Sequence, residues 1–141
     1  MSEAERLHGD EHVRRYRETD GAVGHIWRRG ATVLLLTTTG RTSGEPRTTP
    51  LIYESAGDTY VIVASKGGAE RDPDWYRNLV AEPRVEMQVL DEVFPATART
   101  AHGEEREELW RLAALQWPDY DAYQARTERE IPVVVLERAS R

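Results

Sequence analysis

The stretch Thr32-Val-Leu-Leu-Leu-Thr-Thr-Thr39 constrains the fold more than any other part of this chain. Its residues are apolar or β-branched, so it reads as a buried strand. A turn follows at once, Gly40-Arg-Thr-Ser-Gly44. Pro46 to Glu54 and Thr59 to Ser65 read as two more strands, and Ala56-Gly57-Asp58 between them suggests a hairpin. Arg84 to Leu90 alternates, with Val85, Met87 and Val89 on one side, and Val93 to Ala101 is its expected antiparallel partner. Ile131 to Leu136 reads as the last strand.

Helices are expected around these strands. Residues 22–29 fit a short amphipathic helix stopped by Gly30. Asp72-Pro73 reads as a helix start, with Asp72 as cap and Pro73 in the first turn, running to about Ala81 before Glu82-Pro83 stops it. Residues 103–116 carry the clearest helical stripe, with Leu109, Leu112, Ala113 and Gln116 on one face. Pro118 opens another helix, expected to reach about Arg129. Only one helix falls where a parallel crossover would need it. Six short antiparallel strands closing into a barrel is therefore the expected architecture, α+β but mainly β. Residues 1–20 are expected to form a polar arm or helix, and 21–141 a single domain.

Composition narrows the chemistry. With 141 residues the chain can close one core. The absence of cysteine excludes disulfides, thiolate metal sites and a catalytic thiol. No apolar run approaches the roughly 18 residues of a membrane span. The charged start lacks the apolar centre of an export signal, so a cytoplasmic protein is expected, with peripheral contact at a membrane left open. A net charge of −6 argues against broad nucleic-acid binding. Glycine-rich nucleotide loops and nucleophile elbows are absent. His8 and His12 are four apart, but they lie in a charged arm without an H-E-x-x-H pattern, and no metal site is expected.

Three segments carry candidate chemistry. Thr37 to Pro50 places Arg41 and Arg47 around a hydroxyl-rich turn, suited to phosphate or carboxylate, although a solvated hairpin would look the same. Ala64-Ser-Lys-Gly-Gly-Ala69 ends a strand with a hydroxyl, an ammonium and two glycines that admit close approach of a ligand. Lys66 is the only lysine among 19 basic residues, and a position that keeps it in an arginine-rich chain suggests a need for a compact ammonium. Asp72 to Asn78 opens a helix whose first amides favour an anion, but Asp74 opposes one, and Trp75 and Tyr76 also fit a core.

In this order and spacing the segments resemble the deazaflavin-dependent nitroreductase and quinone reductase family. The pattern is L-L-T-T-T-G-R-T-S-G-E-P-R-T-T-P-L at Leu35 to Leu51, A-S-K-G-G at Ala64 to Gly68, and P-D-W-Y-R-N-L at Pro73 to Leu79. P-D-Y-D-A-Y-Q and R-E-I-P-V-V-V follow between Pro118 and Val135. The resemblance implies a split β-barrel like those of flavin reductases and pyridoxamine-phosphate oxidases. It also implies a reduced 8-hydroxy-5-deazaflavin, coenzyme F-420, as cofactor, and hydride transfer to a quinone-like or nitroaromatic acceptor. An FMN or haem protein and a non-catalytic coenzyme carrier are the alternatives. Split barrels often pair, so a homodimer is a further expectation.

Carried over by position, Arg41, Thr42 and Ser43 would hold the coenzyme's phosphate and tail. Arg47, Thr48, Thr49, Pro50, Leu51 and Ile52 would flank its ring. Ala64, Ser65 and Lys66 would meet ring or phosphate, and Asp74, Trp75, Tyr76, Arg77 and Asn78 would close the groove. Ser65 and Tyr120 are the candidate catalytic hydroxyls, and Trp27, Trp117 and Tyr123 candidate wall residues. Ile52, Asp74 and Trp117 depart from the best-known nitroreductase of the family, which puts a nitroimidazole preference in doubt.

Overall fold

The computed structural model describes residues 2–139. Helices α1 (Glu3–Arg6) and α2 (Gly9–Thr19) precede strands β1 (Val33–Thr39), β2 (Pro46–Ile52), β3 (Glu54–Ala56) and β4 (Thr59–Val63). Helix α3 (Asp74–Ala81) leads to strands β5 (Arg84–Val89) and β6 (Glu92–Thr100), and helices α4 (Gly103–Gln116) and α5 (Asp119–Ala125) to β7 (Val133–Arg138). The strands form one antiparallel sheet in the order β2-β1-β5-β6-β7-β4-β3. Its two outer strands, β2 and β3, are consecutive in the chain. Such a sheet must curl until its edges meet, which makes it a split barrel.

The expected strand from Pro46 to Glu54 is therefore two. It breaks at Tyr53, where the chain leaves β1 and joins β4. The Tyr53 N–H donates to Thr32 O at 3.0 Å, and its carbonyl accepts from Gln116 Nε2 at 2.8 Å. This break raises the strand count from the expected six to seven.

β1 is buried on both faces, which explains its unbroken apolar run. Leu34 and Leu36 point into the barrel, where they pack with Ile62, Met87, Phe94, Val134 and Leu136 and with Trp75 and Leu79 of α3. Val33 and Leu35 point outward against Val13 and Tyr16 of α2. β7 behaves alike, with Val134 and Leu136 inside and Val133 and Val135 in the cluster that Leu109 and Trp110 of α4 cover. Each such side chain contributes on the order of 1.5–3 kcal/mol by leaving water.

Three helical expectations change. Residues 22–29 form turns rather than a helix, with a short 3-10 turn only at Arg28–Gly30. Gly24 has φ +116, and a Cβ there would sit 3.1 Å from the His12 ring, so the segment is shaped by packing on α2. Asp72 does not cap α3. Pro73 holds that position without a side-chain bond, and the Asp72 carboxylate accepts from Arg129 Nη1 at 2.8 Å instead. The helix after Pro118 stops at Ala125, short of Arg129, because the chain turns back through Gln124, whose side-chain amide donates to Arg129 O at 2.8 Å and accepts from the Ile131 N–H at 2.9 Å. No helix among the described residues is long and apolar enough to cross a membrane.

Candidate functional site

A groove opens along the seam between β2 and the end of β4, and it has two compartments. The polar one, of about 530 Å³, is lined by Gly40 to Ser43, Arg47, Thr49, Asp74, Trp75 and Asn78. The turn that carries Arg41 is tied by Gly40 N–H to Glu45 O and Gly44 N–H to Gly40 O, both at 2.8 Å. Arg41 is fixed from α3. Its Nη1 donates to Asn78 Oδ1 at 2.7 Å, and its backbone N–H reaches the same oxygen at 3.2 Å. Its Nη2 lies 3.2 Å from Asp74 Oδ1. Asn78, only 4% exposed, completes its bonding by donating to Thr38 Oγ1 at 3.3 Å. Arg47 enters no ion pair among the described residues, so it is the freer cation of this end.

The second compartment, of about 360 Å³, is mostly apolar. Pro50, Leu51 and Ile52 form its floor, and Ser65, Lys66 and Gly67 its rim. Trp27, Trp117, Tyr120 and Tyr123 form the aromatic wall, and His12 closes it from α2. Trp27 and Trp117 stack at 5.9 Å, and Arg29 lies 3.9 Å over the Trp117 ring. Trp75 lines both compartments and joins them.

The rim has an anion-binding shape. Ser65 is right-handed (φ −76, ψ −41), while Lys66 and Gly67 are left-handed at φ 44 and 63. A right-handed residue followed by a left-handed one turns successive N–H groups toward a common point. No backbone carbonyl among the described residues takes the N–H of Lys66 or Gly67. The exposed Lys66 ammonium enters no ion pair among them either. A left-handed lysine costs roughly 1 kcal/mol, so the surroundings must hold it there.

Protonation in the apolar compartment follows from burial. Desolvation pushes the Tyr120 phenol above its ordinary range, so it stays a hydrogen-bond donor at neutral pH. Burial lowers His12, favouring the neutral ring, although the bond of its Nε2 to Gly24 O at 2.9 Å acts the other way. His8 is exposed, and no group of three metal-ligating side chains occurs among the described residues.

Of the residues proposed from sequence, Arg41, Thr42, Ser43, Arg47, Thr49, Asp74, Trp75 and Asn78 line the polar compartment. Pro50, Leu51, Ile52, Ser65, Lys66 and Tyr120 line the other. Four lie elsewhere. Thr48 faces α2, bonding Thr37 Oγ1 at 2.8 Å and Arg17 Nη2 at 3.0 Å. Ala64 is buried behind the rim. The Tyr76 hydroxyl meets Thr100 Oγ1 at 2.8 Å, and Arg77 points along α3 toward Asp74 at 4.0 Å. Sequence reasoning missed His8, Gly9, His12, Val33, Val63 and Pro73 as lining residues. Histidines in a polar arm and two strand valines carry no signal that separates lining from core.

The model of the F-420H(2)-dependent quinone reductase family matches residues 9–138. The chain belongs to that family. An F-420H(2)-dependent quinone reductase of Mycobacterium tuberculosis is 46% identical over 126 residues, covering 87% of this chain and 85% of the relative. Among solved structures, an F-420-H2 dependent reductase is 46% identical with a TM-score of 0.70, covering 74% of this chain and 93% of the other. A domain-swapped dimer is 42% identical with a TM-score of 0.72, covering 89% and 96%. The haem storage protein HutZ of Vibrio cholerae, at 14% identity and a TM-score of 0.62 over 96% and 93%, shares the fold alone.

Proposed function

We propose that this family member is an oxidoreductase that takes a hydride from the reduced deazaflavin coenzyme to a quinone-like or nitroaromatic acceptor, acting in the cytoplasm as a homodimer. The observation that carries the reading is the rim. Free amides and a free ammonium stand on the rim of an aromatic-walled cavity, which Trp75 joins to the polar cleft. A coenzyme with a flat ring and an anionic tail needs both compartments side by side. The family membership supports the same cofactor, and the domain-swapped relative supports pairing.

The residues fit this group in named ways. Arg41, Arg47 and the turn hydroxyls of Thr42 and Ser43 would receive the tail by charge-assisted bonds. The Ser65–Gly67 amides and Lys66 would hold the ring edge or phosphate, and Pro50 to Ile52 would support the ring. When bound, the deazaflavin supplies a hydride with little one-electron chemistry, while the protein supplies orientation and electrostatics. The aromatic wall would seat a flat acceptor against the ring and exclude water. Its oxygen gains negative charge during reduction, and the hydroxyls of Ser65 and Tyr120 would donate hydrogen bonds to it. Tyr120 suits this role because its phenol is a neutral donor that lines the cavity and makes no other hydrogen bond among the described residues.

The first test is a fluorescence titration with oxidised deazaflavin, with FMN in parallel, followed by turnover on a quinone panel. Saturable binding of deazaflavin alone, with quinone-dependent oxidation of the reduced form, is expected. Binding of FMN alone would move the chain to another enzyme class, and tight binding without turnover would make it a carrier. Replacing Ser65 with Ala and Tyr120 with Phe together should slow turnover while leaving coenzyme binding intact. Unchanged turnover would remove the hydroxyl role.

A further inference from the structure

Arg129 lies behind the rim and lines neither compartment. Its Nε donates to Ala69 O at 2.7 Å, its Nη2 to Ser65 O at 2.7 Å, and its Nη1 to Ala64 O at 3.3 Å and Asp72 Oδ1 at 2.8 Å. The side chain is 14% exposed, so these bonds are well shielded from water. One planar guanidinium thus gathers both ends of the Ala64–Asp72 loop.

The consequence for the rim follows from peptide geometry. In a trans peptide the C=O and the next N–H point in opposite directions. Arg129 draws the carbonyls of Ala64 and Ser65 toward itself. The N–H groups of Ser65 and Lys66 must then face away from it, on the open side where the groove lies. From the other flank α5 presses on the loop. A Cβ at Gly68, which has φ +82, would meet Tyr123 O at 2.6 Å. Between α5 and Arg129 the left-handed Lys66 is over-determined, as a strained residue has to be.

We infer that Arg129 is a positioning residue for the coenzyme, holding the Ser65 and Lys66 amides and the Lys66 side chain in their anion-receiving form without touching the ligand. This rests on the functional reading above. Lysine cannot replace it, because a single ammonium cannot span Ala69 O on one side and Ala64 O and Ser65 O on the other.

The test uses the full chain as Arg129→Lys, Lys66→Ala, the double variant and the milder Asp72→Asn. Hydrogen exchange without ligand reads the loop itself, through the Gly68 and Ala69 amides that bond Ser65 O and Lys66 O. Fluorescence titration reads the affinity for oxidised deazaflavin. In Arg129→Lys, exchange should quicken within residues 64–72 and not in β1 or β7, and affinity should fall on the order of tenfold. The double variant should lose less affinity than the product of the two single losses, because Arg129 acts partly through the ammonium that Lys66→Ala removes. Asp72→Asn should act in the same direction with smaller size, and it decides the matter should Arg129→Lys fail to fold. Unchanged loop exchange, exchange that quickens throughout the sheet, or losses that multiply in the double variant would each overturn the inference while wild-type binding stands. A wild type that does not bind the deazaflavin would instead overturn the functional reading and the positioning role with it.

Discussion

At one end of the groove, charged and polar groups drawn from between Gly40 and Asn78 surround a cleft open to water. At the other, the wall is assembled from parts as distant as His12 and Tyr123, and its tryptophans and tyrosines also belong to packed clusters. The polar end acts through a few long-reaching charges, which tolerate small errors of placement. The aromatic end acts through shape, so its binding surface cannot be separated from the stability of the fold. Trp75 belongs to both ends, and Lys66 stands on the rim of the aromatic one.

The largest expected effect tests that shared joint. Trp75→Ala should cost about 3–5 kcal/mol of stability in denaturant unfolding, since the indole is 8% exposed and packs in the barrel core. A cost below about 1 kcal/mol would show that the two compartments do not share a structural hinge point. Next in size, Lys66→Ala should weaken deazaflavin binding by roughly 10- to 100-fold. Trp117→Leu should leave that affinity within about threefold and raise the KM for a quinone, because it alters the wall and not the charges. Equal effects of the two variants on both ligands would erase the distinction between the ends.

A smaller effect comes from Asp74, whose carboxylate is 80% exposed and pairs with Arg41. Asp74→Asn should tighten coenzyme binding by about two- to fivefold at low salt, as expected for freeing a guanidinium from an exposed ion pair. Added salt should shrink that gain. Weaker binding would mean that Asp74 serves to orient Arg41 rather than to compete for it. The smallest effect concerns the apolar end. Burial lowers His12 and His25 from their ordinary value near 6.5, so the unfolded chain takes up their protons first. Their stabilising contribution is complete above about pH 6.5 and is lost as pH falls from there through the lowered folded values. His12→Gln should flatten the acid side of a stability-against-pH curve, and an unchanged curve would show that His12 does not carry this dependence.

Much of this was legible in the sequence because it depends on neighbours along the chain. The alternation of Val85, Met87 and Val89 marks a strand with one face inward, and the Thr32–Thr39 run marks one buried on both faces. The polar end was legible for the same reason, since its cations cluster around one turn. What escaped was set by distant contacts. Tyr53 breaks a strand only because the sheet closes on itself, and Asp72 gives up its helix for a guanidinium 57 positions later. The segment from Ala22 to Arg29 has a helical pattern, but Gly24 yields to the His12 ring. His12 itself reads as a polar-arm residue until α2 is seen packed on β1.

The break at Tyr53 leaves β2 paired with β1 alone, so its second edge faces the groove. A ligand laid along that edge would be read by main-chain carbonyls, which every residue type provides, and by main-chain amides, which only prolines such as Pro46 and Pro50 lack. Point substitutions therefore have little purchase on coenzyme recognition there. The acceptor would instead be read by side chains such as Ile52, Trp117 and Tyr120, where a single base change in the gene can reshape the cavity. A lineage built on this plan can diversify in what it reduces while remaining bound to one source of electrons.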